Sequence, residues 1–563
     1  MQQRFARPVM ALIVTISLMF GSLMTSTLAA QSDATPVDPA TPTGDATPVG
    51  AATPVADTGA SGPVDLDVLF IGAHPDDEAG GLSTYGQWNE ANDVEVGVIT
   101  VTRGEGGGNA VGTEEGPALG LLREDEERRA VGLAGIDHIY NLDKVDFYYT
   151  VSAPLTEETW GYDDTLERVV RIIRTTKPEV ITTMNPSPTP GNHGHHQLAA
   201  RLAVDAFYAA ADGNSFPDQL SDEGLSTWDV GKIVRSGGAG EGQPGPDCAT
   251  TYVPADPTDV VYGVWAGNTS DANGGRTWAD IEREAQRTYA SQGWAAFPDA
   301  ETDPAAITCD YFTLIDSRVP LSTNPEATTA VLENAVLDTP RGLPLGSQLY
   351  LTTDSFDVQA GEPFTVTSHL RVPGDVDTSE TFVQLIAPPG WEVVGAEDAE
   401  QAAAAGEEAT PVVTAADNGE LTQEFTIVPA AEAEVNTRYA IGASAGAGGG
   451  IGATSEVVRV VPPVSGTLAP LPQIAQFREW ANEVGVPELD SLITPVDSIG
   501  VGRERELSVD LLNNSAEEQS GTVTLGLPPG FETDTPSVPF EAVPAGGTGS
   551  ATFTVRNTDT ALP

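Results

Sequence analysis

Residues 65–80 read DLDVLFIGAHPDDEAG and join an apolar run to a tight group of ionisable side chains. The apolar run has the composition of a buried β-strand. His74 and three carboxylates, Asp76, Asp77 and Glu78, follow it at once. Carboxylates this close repel one another unless a cation or a proton relieves them. The stretch therefore indicates either a solvated turn after a strand or a cation site, and the rest of the chain distinguishes the two.

Strand-like and helix-like segments alternate after this point. Such alternation predicts an α/β domain with a Rossmann-like, mostly parallel sheet and helices on both faces. Ligands of such sheets bind at the carboxyl ends of the strands, which is where HPDDE stands. Later strands are predicted at 94–102, 137–142 and 178–184, and helices at 78–91, 121–135, 164–177 and 197–211.

The chain of 563 residues is too long for one hydrophobic core. The N-terminus predicts a signal peptide, because two basic residues precede an apolar run that is too short for a comfortable membrane span, and small residues follow it. An uncleaved membrane anchor is the alternative. Beyond residue 340 short strands separated by Gly and Pro predict β-sandwiches. The predicted segments are a signal peptide (1–30), a disordered Ala/Thr/Pro linker (31–63), the α/β domain (64–330), a first sandwich (341–463), and a connector with a second, apparently incomplete sandwich (464–563).

The net charge and the predicted export limit which partners the protein can have. The net charge of −56 argues against nucleic acid and against anionic membrane surfaces. The signal pattern predicts a secreted or extracellular protein, possibly attached to the cell surface, that meets a membrane only through an uncleaved signal. Cys248 and Cys309 fall in one predicted domain and could pair in an oxidising compartment.

A second polar stretch, NPSPTPGNHGHHQ at 185–197, follows the fourth predicted strand and holds three of the six histidines. Catalytic zinc takes three His or carboxylate ligands and keeps one position open for water. His74 and Asp77 can supply two ligands, and the pair His193 and His196 can supply a third. Asp76 is then left beside the metal, where a general base would stand. The chemistry implied is hydrolysis of an amide or an ester.

Four motifs occur in a family-specific order: AHPDDE, the T-R-G-E segment 102–105, R-x-x-E-x-x-x-A from Arg123, and H-x-x-H-Q from His193. In this order they resemble the LmbE/PIG-L family of zinc-dependent N-acetylglucosamine deacetylases, over roughly residues 65–315. The resemblance implies removal of the acetyl group from an N-acetylated amino sugar or glycoconjugate.

The resemblance also implies roles for single residues. Asp76 would be the general base, and His193 would stabilise the oxyanion or help to protonate the leaving amine. Zinc, or another divalent metal, would be held by His74, Asp77 and His196. The side chains expected to face the sugar are Arg123 and Asp146.

The chain departs from the family pattern at two places. Where the family often has HPDH, this sequence has HGHH, so His195 replaces an acid and is a rival ligand or a supporting group. In AQRTYASQ (285–292) Tyr289 replaces a His. Glu78 is expected to order its loop or cap the next helix rather than bind metal.

The predicted sandwiches resemble the NEW3-type domains of exported glycan-active enzymes and are either spacers or sugar-binding modules. Trp391 and Phe531, which each follow a PPG turn, are candidates for core residues or for sugar platforms. Two further functions stay open: an amidase acting on another N-acyl substrate, and a glycan-binding surface protein with a vestigial zinc site. Retention of Asp76 and of the whole ligand set argues against the second.

Overall fold

The computed structural model describes residues 10–14, 64–374, 376–378, 381–394, 414–415, 420–493 and 497–559. The predicted linker lies outside the described residues. So does the predicted signal peptide except for Met10–Val14, a strand that pairs in parallel with Gln519–Leu525. No helix in the described ranges is long and apolar enough to cross a membrane.

A seven-stranded mixed sheet forms the centre of the N-terminal part. Its order is β3-β2-β1-β4-β5-β7-β6. The first five strands are parallel, and β7 runs antiparallel to both β5 and β6. The strands are β1 (Val68–Gly72), β2 (Val96–Thr102), β3 (His138–Lys144), β4 (Val180–Thr183), β5 (Lys232–Ser236), β6 (Val261–Trp265) and β7 (Cys309–Ser317).

Helices pack on both faces of this sheet. Leu69 and Ile71 of β1 join a core with α4 and α5, whereas Val68 and Phe70 join a second core with α1 and α2. This follows from the alternation of side chains along a strand. The helices are α1 (Leu82–Asn92), α2 (Pro117–Gly132), α3 (Pro154–Trp160), α4 (Tyr162–Thr176), α5 (Gly194–Ala211), α6 (Pro217–Ser221), α7 (Trp278–Thr288) and α8 (Pro472–Val484).

The predicted elements occur in the predicted order, with shifted limits. The helix expected from residue 78 begins as a 3-10 turn, Asp77–Gly80, and becomes α1 only at Leu82. The helix expected from residue 197 starts three residues earlier, at Gly194. His195 and His196 therefore stand in the first turn of α5 and not in a loop.

Strand-rich sheets make up the C-terminal part. One sheet has the order β8-β10-β13-β12, and Thr414–Ala415 also pairs with β13. A second sheet, β9-β15-β14-β11, shares a hydrophobic core with the first. Trp391 lies in that core against Phe364 and Tyr439, so it is a core residue and not a sugar platform. The strands are β8 (Gln348–Thr353), β9 (Asp357–Gln359), β10 (Phe364–Arg371), β11 (Phe382–Ile386), β12 (Glu392–Val394), β13 (Leu421–Val428), β14 (Thr437–Ala447) and β15 (Gly450–Val461).

The last strands form two further sheets. One has the order β16-β17-β21-β19, and the other pairs β18 with β20 and with Met10–Val14. Side chains of β16, β17, β18, β20 and β21 share one core, against which Phe531 packs. The strands are β16 (Val464–Leu468), β17 (Glu504–Asn513), β18 (Gln519–Leu525), β19 (Phe531–Glu532), β20 (Ser537–Val543) and β21 (Thr548–Asn557).

Two contacts tie distant parts of the chain together. Cys248 and Cys309 form a disulfide bond. Helix α8 places Phe477 and Ala481 in the same core as α4 and α5, although it lies far along the chain. The predicted connector is therefore packed against the N-terminal domain.

Candidate metal centre

The candidate site lies at the carboxyl ends of β1 and β4, which are neighbours in the sheet. On one side of β1 the chain order runs outward through β2 and β3, and on the other through β4 and β5. A crevice opens where the order reverses in this way. The loop after β1 carries His74 to Glu78, and the loop after β4 carries His193, so both predicted motifs meet there.

Asp77 folds back on its own loop. Its Oδ2 accepts hydrogen bonds from the backbone N–H groups of Ala73 (2.7 Å) and His74 (2.9 Å). Its Oδ1 lies 3.2 Å from Nε2 of His196. Burial opposes the charged form, but His196 and His74 hold the pKa of Asp77 well below its usual range. The loop therefore presents one ionised oxygen towards α5.

His74, Asp77 and His196 converge as metal ligands would. Nδ1 of His74 lies 3.2 Å from Nε2 of His196 and 3.7 Å from Oδ2 of Asp77. Ligand atoms at 2.0–2.2 Å from a tetrahedral zinc ion stand about 3.3–3.6 Å apart, close to these separations. A nitrogen of His193 also lies within 4.8 Å of those of His74 and His196. The donor set fits a divalent cation.

Asp146 and His195 lie next to Nε2 of His74, the ring nitrogen that faces away from Asp77 and His196. Nε2 of His74 is 3.5 Å from Oδ1 of Asp146 and 3.1 Å from Nδ1 of His195. Asp146 and His195 are themselves 3.2 Å apart. A carboxylate beside Nε2 favours the tautomer with the proton on that nitrogen. Nδ1 of His74 then keeps a lone pair towards Asp77 and His196.

Asp146, which the sequence predicts to face the sugar, contacts two imidazoles. Its Oδ1 faces the two imidazoles, and its Oδ2 accepts a hydrogen bond from the backbone N–H of Gly106 at 3.0 Å. Burial opposes its charge, but His195 and His74 hold the pKa of Asp146 well below its usual range. Its observed contacts are those of a group that orients His74, and its predicted sugar contact remains untested.

Asp76 has an unusual backbone conformation, with φ at 128°. Non-glycine residues rarely adopt such values, and they cluster at functional sites. Burial, with the negative charges of Asp77 and Glu78, raises the pKa of Asp76 well above its usual range. A raised pKa suits a carboxylate that has to accept a proton and later return it.

Glu78 orders the loop, as the sequence predicts. One of its oxygens accepts a hydrogen bond from the Tyr289 hydroxyl, and the other accepts one from the backbone N–H of Asp76 at 3.3 Å. Burial raises the pKa of Glu78 to about 7. Tyr289, which replaces the family's histidine, therefore reaches the site through Glu78.

His193 precedes α5, and its ring lies 3.9 Å from that of His196. Burial and the neighbouring imidazoles lower the pKa of His193 to about 3, so the ring is neutral. Its Nδ1 is buried and has no hydrogen-bond partner among the described residues. Such a nitrogen is free to meet a bound group.

Arg123 is buried below the glycine-rich loop after β2. Its guanidinium donates hydrogen bonds to the carbonyls of Gly104 (2.5 Å) and Gly108 (2.8 Å) and to the Ser291 hydroxyl (3.3 Å). Glu126 accepts hydrogen bonds from the backbone and the hydroxyl of Ser291. The R-x-x-E motif thus holds the loop against the 289–292 segment, and the predicted sugar contact of Arg123 remains untested.

Sequence reasoning missed the aromatic side chains beside the histidines. Phe147 lies 4.3 Å from the ring of His195, and Tyr149 lies 5.1 Å from that of His193. Both belong to the loop between β3 and α3, which carries no motif. The run FYY at 147–149 was the available signal.

One protein-family model matches part of the N-terminal domain. Residues 69–207 match the PIG-L family model, described as GlcNAc-PI de-N-acetylase. The predicted resemblance to PIG-L deacetylases is confirmed over these residues, which contain both polar motifs.

Individual relatives agree with this match. A 1D-myo-inositol 2-acetamido-2-deoxy-alpha-D-glucopyranoside deacetylase of Frankia casuarinae is 31% identical over 186 residues, 30% of this chain and 58% of that protein. Diacetylchitobiose deacetylase of Thermococcus kodakarensis is 29% identical over 140 residues, 25% of this chain and 48% of that protein. The chain thus spans about half the length of these two relatives. Among solved structures, N,N'-diacetylchitobiose deacetylase of Pyrococcus horikoshii aligns with 22% identity over 41% of this chain and 71% of that chain, at a TM-score of 0.30.

Proposed function

We propose that this protein is a metal-dependent hydrolase that removes the acetyl group from N-acetylated amino sugars or their conjugates. The close approach of His74, Asp77 and His196, with His193 beside them, carries the proposal. Their ligand atoms lie 3.2–3.7 Å apart, with Oδ1 of Asp77 facing His196 and Oδ2 facing His74, and groups this close repel unless a cation or a proton lies among them. Zinc fits this donor set, and another divalent ion with similar preferences is the alternative.

When bound, zinc supplies a Lewis acid and a water molecule whose pKa is lowered to about 7. His74, Asp77 and His196 would hold it. Asp146 and His195 would fix the tautomer and the orientation of His74. Tyr289 and Glu78 would fix the backbone on which Asp76 stands.

Asp76 would take a proton from the attacking water on a carboxylate oxygen, because it stands in the ligand loop and its raised pKa favours proton uptake. The same carboxyl would then deliver that proton to the departing amine. His193, which is neutral, would donate a hydrogen bond to the oxygen that becomes negative as water adds to the acetyl carbonyl.

The substrate class rests on the relatives, whose names specify N-acetylated glucosamine compounds. The test uses the full chain, loaded with zinc and freed of excess metal. Acetate release is measured from N-acetylglucosamine and N,N'-diacetylchitobiose, with and without a chelator. We expect release that the chelator abolishes and that zinc restores. A zinc-loaded protein that releases no acetate from either compound contradicts the proposal.

We further propose that the protein is exported. The signal pattern and the disulfide between Cys248 and Cys309 support this, because such bonds persist in oxidising compartments. The strand-rich sheets would then act as NEW3-like sandwich modules outside the cell. Mass spectrometry of protein recovered from the culture medium should find a mature N-terminus near residue 30. Full-length protein confined to the cytoplasm would contradict export.

A further inference from the structure

A cavity of about 640 Å³ lies where three parts of the chain meet, and no residue of the metal centre lines it. Its walls include α5 and β7 of the N-terminal domain, β8 and β15 of the strand-rich part, and the segment after α8. We call it the junction cavity. Two arginines but five acidic residues line it, namely Asp259, Asp316, Asp354, Glu456 and Glu488. The cavity therefore carries a formal excess of negative charge.

The two arginines that line the junction cavity already have partners. Arg438 donates hydrogen bonds to Asp256 at 2.8 Å and to Asp259 at 2.7 Å. Arg318 donates to two backbone carbonyls, at 2.9 Å and 3.2 Å, and its guanidinium lies 3.9 Å from the centre of the Phe207 ring. Both positive charges are thus held at the wall by groups other than the remaining carboxylates.

Two carboxyl groups of the cavity have no cation of their own. Glu456 lies on the same face of β15 as the buried Val458, and its Oε1 accepts a hydrogen bond from the adjacent backbone N–H at 2.9 Å. Glu488 follows α8, in the 3-10 turn Pro487–Leu492. Neither carboxyl has an ion-pair partner among the residues that the structure describes. Carboxylates withdrawn from water in this way are costly unless a proton or a cation meets them.

Glu456 and Glu488 also act on each other. Burial raises the pKa of Glu456 to about 8. Burial, with the negative charges of Glu456 and Asp316, raises the pKa of Glu488 well above its usual range, against the opposing charge of Arg438. The two groups therefore hold protons at neutral pH unless a bound cation stabilises their charged forms.

The junction cavity suits an organic cation better than a metal ion. In the described part of the chain, each group of three side chains close enough to share one metal ion contains His74. The carboxyl oxygens of the cavity are therefore too far apart to hold a small ion in common. Aromatic side chains attract ammonium groups, and those that line the cavity are Tyr208, Tyr350 and Phe356.

Two further features of the wall point to a ligand with N–H donors. Thr454 lines the cavity and is only 6% exposed, yet its hydroxyl has no hydrogen-bond partner among the described residues. A hydroxyl oxygen without a partner can accept a hydrogen bond from an ammonium group. The carboxyl end of α8 also lies at the cavity, and the partial negative charge of a helix C-terminus attracts cations.

We propose that the junction cavity binds an organic ammonium compound, whose positive charge lies between the carboxylates of Glu456 and Glu488. The bound cation would link the segment after α8 to β15 and so hold the connector against the strand-rich part. This inference goes beyond the proposed deacetylase function and does not depend on it.

The test measures binding of the diammonium compound cadaverine to the zinc-loaded full chain by calorimetry, at about 0.15 M salt, where exposed charges are screened. Pentanediol, which has the same chain length and no charge, should not bind. The double variant Glu456→Gln/Glu488→Gln keeps the size of both side chains and should weaken cadaverine binding by about tenfold, or about 1.4 kcal/mol. The matched variant Glu479→Gln/Glu483→Gln removes the same charge from exposed positions near the end of α8 and should bind like the wild type.

A third variant separates the junction cavity from the metal centre. His196→Ala lacks a proposed metal ligand and should bind cadaverine with the affinity of the wild type. Loss of binding in this variant would assign the amine to the metal centre and overturn the proposal.

Three other results would also overturn it: no binding of cadaverine to the wild type, equal affinity of the two double Gln variants, or displacement of cadaverine by an equal concentration of calcium. The first would mean that protons alone relieve the two carboxyl groups, the second that the amine binds to the acidic surface, and the third that the cavity takes a metal ion. Binding is measured without turnover, so a failure to release acetate would count against the proposed function alone.

Discussion

Asp76 and Asp77 are adjacent carboxylates with opposite environments. Asp77 accepts two backbone hydrogen bonds and faces two imidazoles, so its charged form is stabilised. Asp76 has a raised pKa because burial and neighbouring carboxylates oppose its charge. When the environments of two carboxylates push their pKa values apart in this way, the one with the lowered pKa suits a metal ligand and the one with the raised pKa suits a proton acceptor. The sequence predicted the pair of roles, and the structure supplies a physical reason for their order.

Loss of His196, a proposed ligand, should affect metal binding more than loss of His195, which supports His74. His196→Ala removes a nitrogen from the ligand cluster, so we expect loss of stoichiometric zinc. His195→Ala and Asp146→Asn change only the support behind His74, so we expect zinc affinity to fall by roughly 10–100-fold. Competition with a chromophoric chelator measures both effects. Complete loss of zinc from His195→Ala with normal binding by His196→Ala would reverse the ligand assignment.

At the scale of elements, the motifs predicted where strands end but not where helix α5 begins. NHGHHQ carries no strong helix-start signal, and the helix starts at Gly194 with His193 just before it. The loop at 150–152 approaches Gly194 closely. A Cβ atom there would stand 2.2 Å from the carbonyl oxygen of Ser152 and 2.3 Å from Oγ1 of Thr150. Such a tertiary contact between distant segments cannot be predicted from the local sequence.

Gly194→Ala should therefore separate the loop from α5. We expect a loss of about 1–3 kcal/mol in the free energy of unfolding, typical of overpacking. Acetate release should fall as well, since His193 and His195 are displaced. Gly132→Ala is the matched control, because an added Cβ there meets no atom within 4 Å. Equal stability of the two variants in urea titrations would show that the contact does not constrain α5.

At the scale of the whole molecule, helix α8 joins the C-terminal part to the N-terminal domain. Phe477 is fully buried, and the guanidinium of Arg201, on α5, lies 5.2 Å from its ring. Arg201 also donates a hydrogen bond to the side chain of Gln476 at 2.7 Å. The sequence predicted a connector within residues 464–563 but not the surface on which it docks. Periodicity shows that a face is apolar and does not show which surface covers it.

Phe477→Ala should destabilise the N-terminal domain itself, although Phe477 lies outside the residues that match the PIG-L family model. A buried Phe replaced by Ala costs about 3–5 kcal/mol. We expect a lower Tm in the transition that also abolishes acetate release. Leu471→Ala, just before the helix and exposed, should have little effect. If Phe477→Ala has the same Tm as the wild type and loses its activity at the same temperature, helix α8 is not part of the domain core.

Buried carboxyl groups should make stability depend on pH. Burial raises the pKa of Glu127 to about 8 from an ordinary value of 4.5. The folded chain thus keeps a proton that the unfolded chain releases near pH 4.5. This contribution to stability is fully present below about pH 4.5 and is lost as the pH rises through about 8. Thermal melts should show a falling Tm from pH 5 to 8.5.

Glu127→Gln should flatten that dependence, because its side chain stays neutral at every pH. Glu479→Gln, at an exposed position of α8, should leave the slope of Tm against pH unchanged. A slope that is the same in wild type and in Glu127→Gln would mean that Glu127 does not retain its proton in the folded chain.

The most direct test of the central claim measures bound zinc and acetate release together in Asp76→Asn. Asn keeps the size of the side chain and cannot act as a base. We expect about one zinc per chain, as in the wild type, with acetate release from N,N'-diacetylchitobiose lowered by about 10²–10⁴-fold. Loss of zinc from this variant, or retained acetate release, would contradict the assignment of Asp76 as the base beside a metal held by His74, Asp77 and His196.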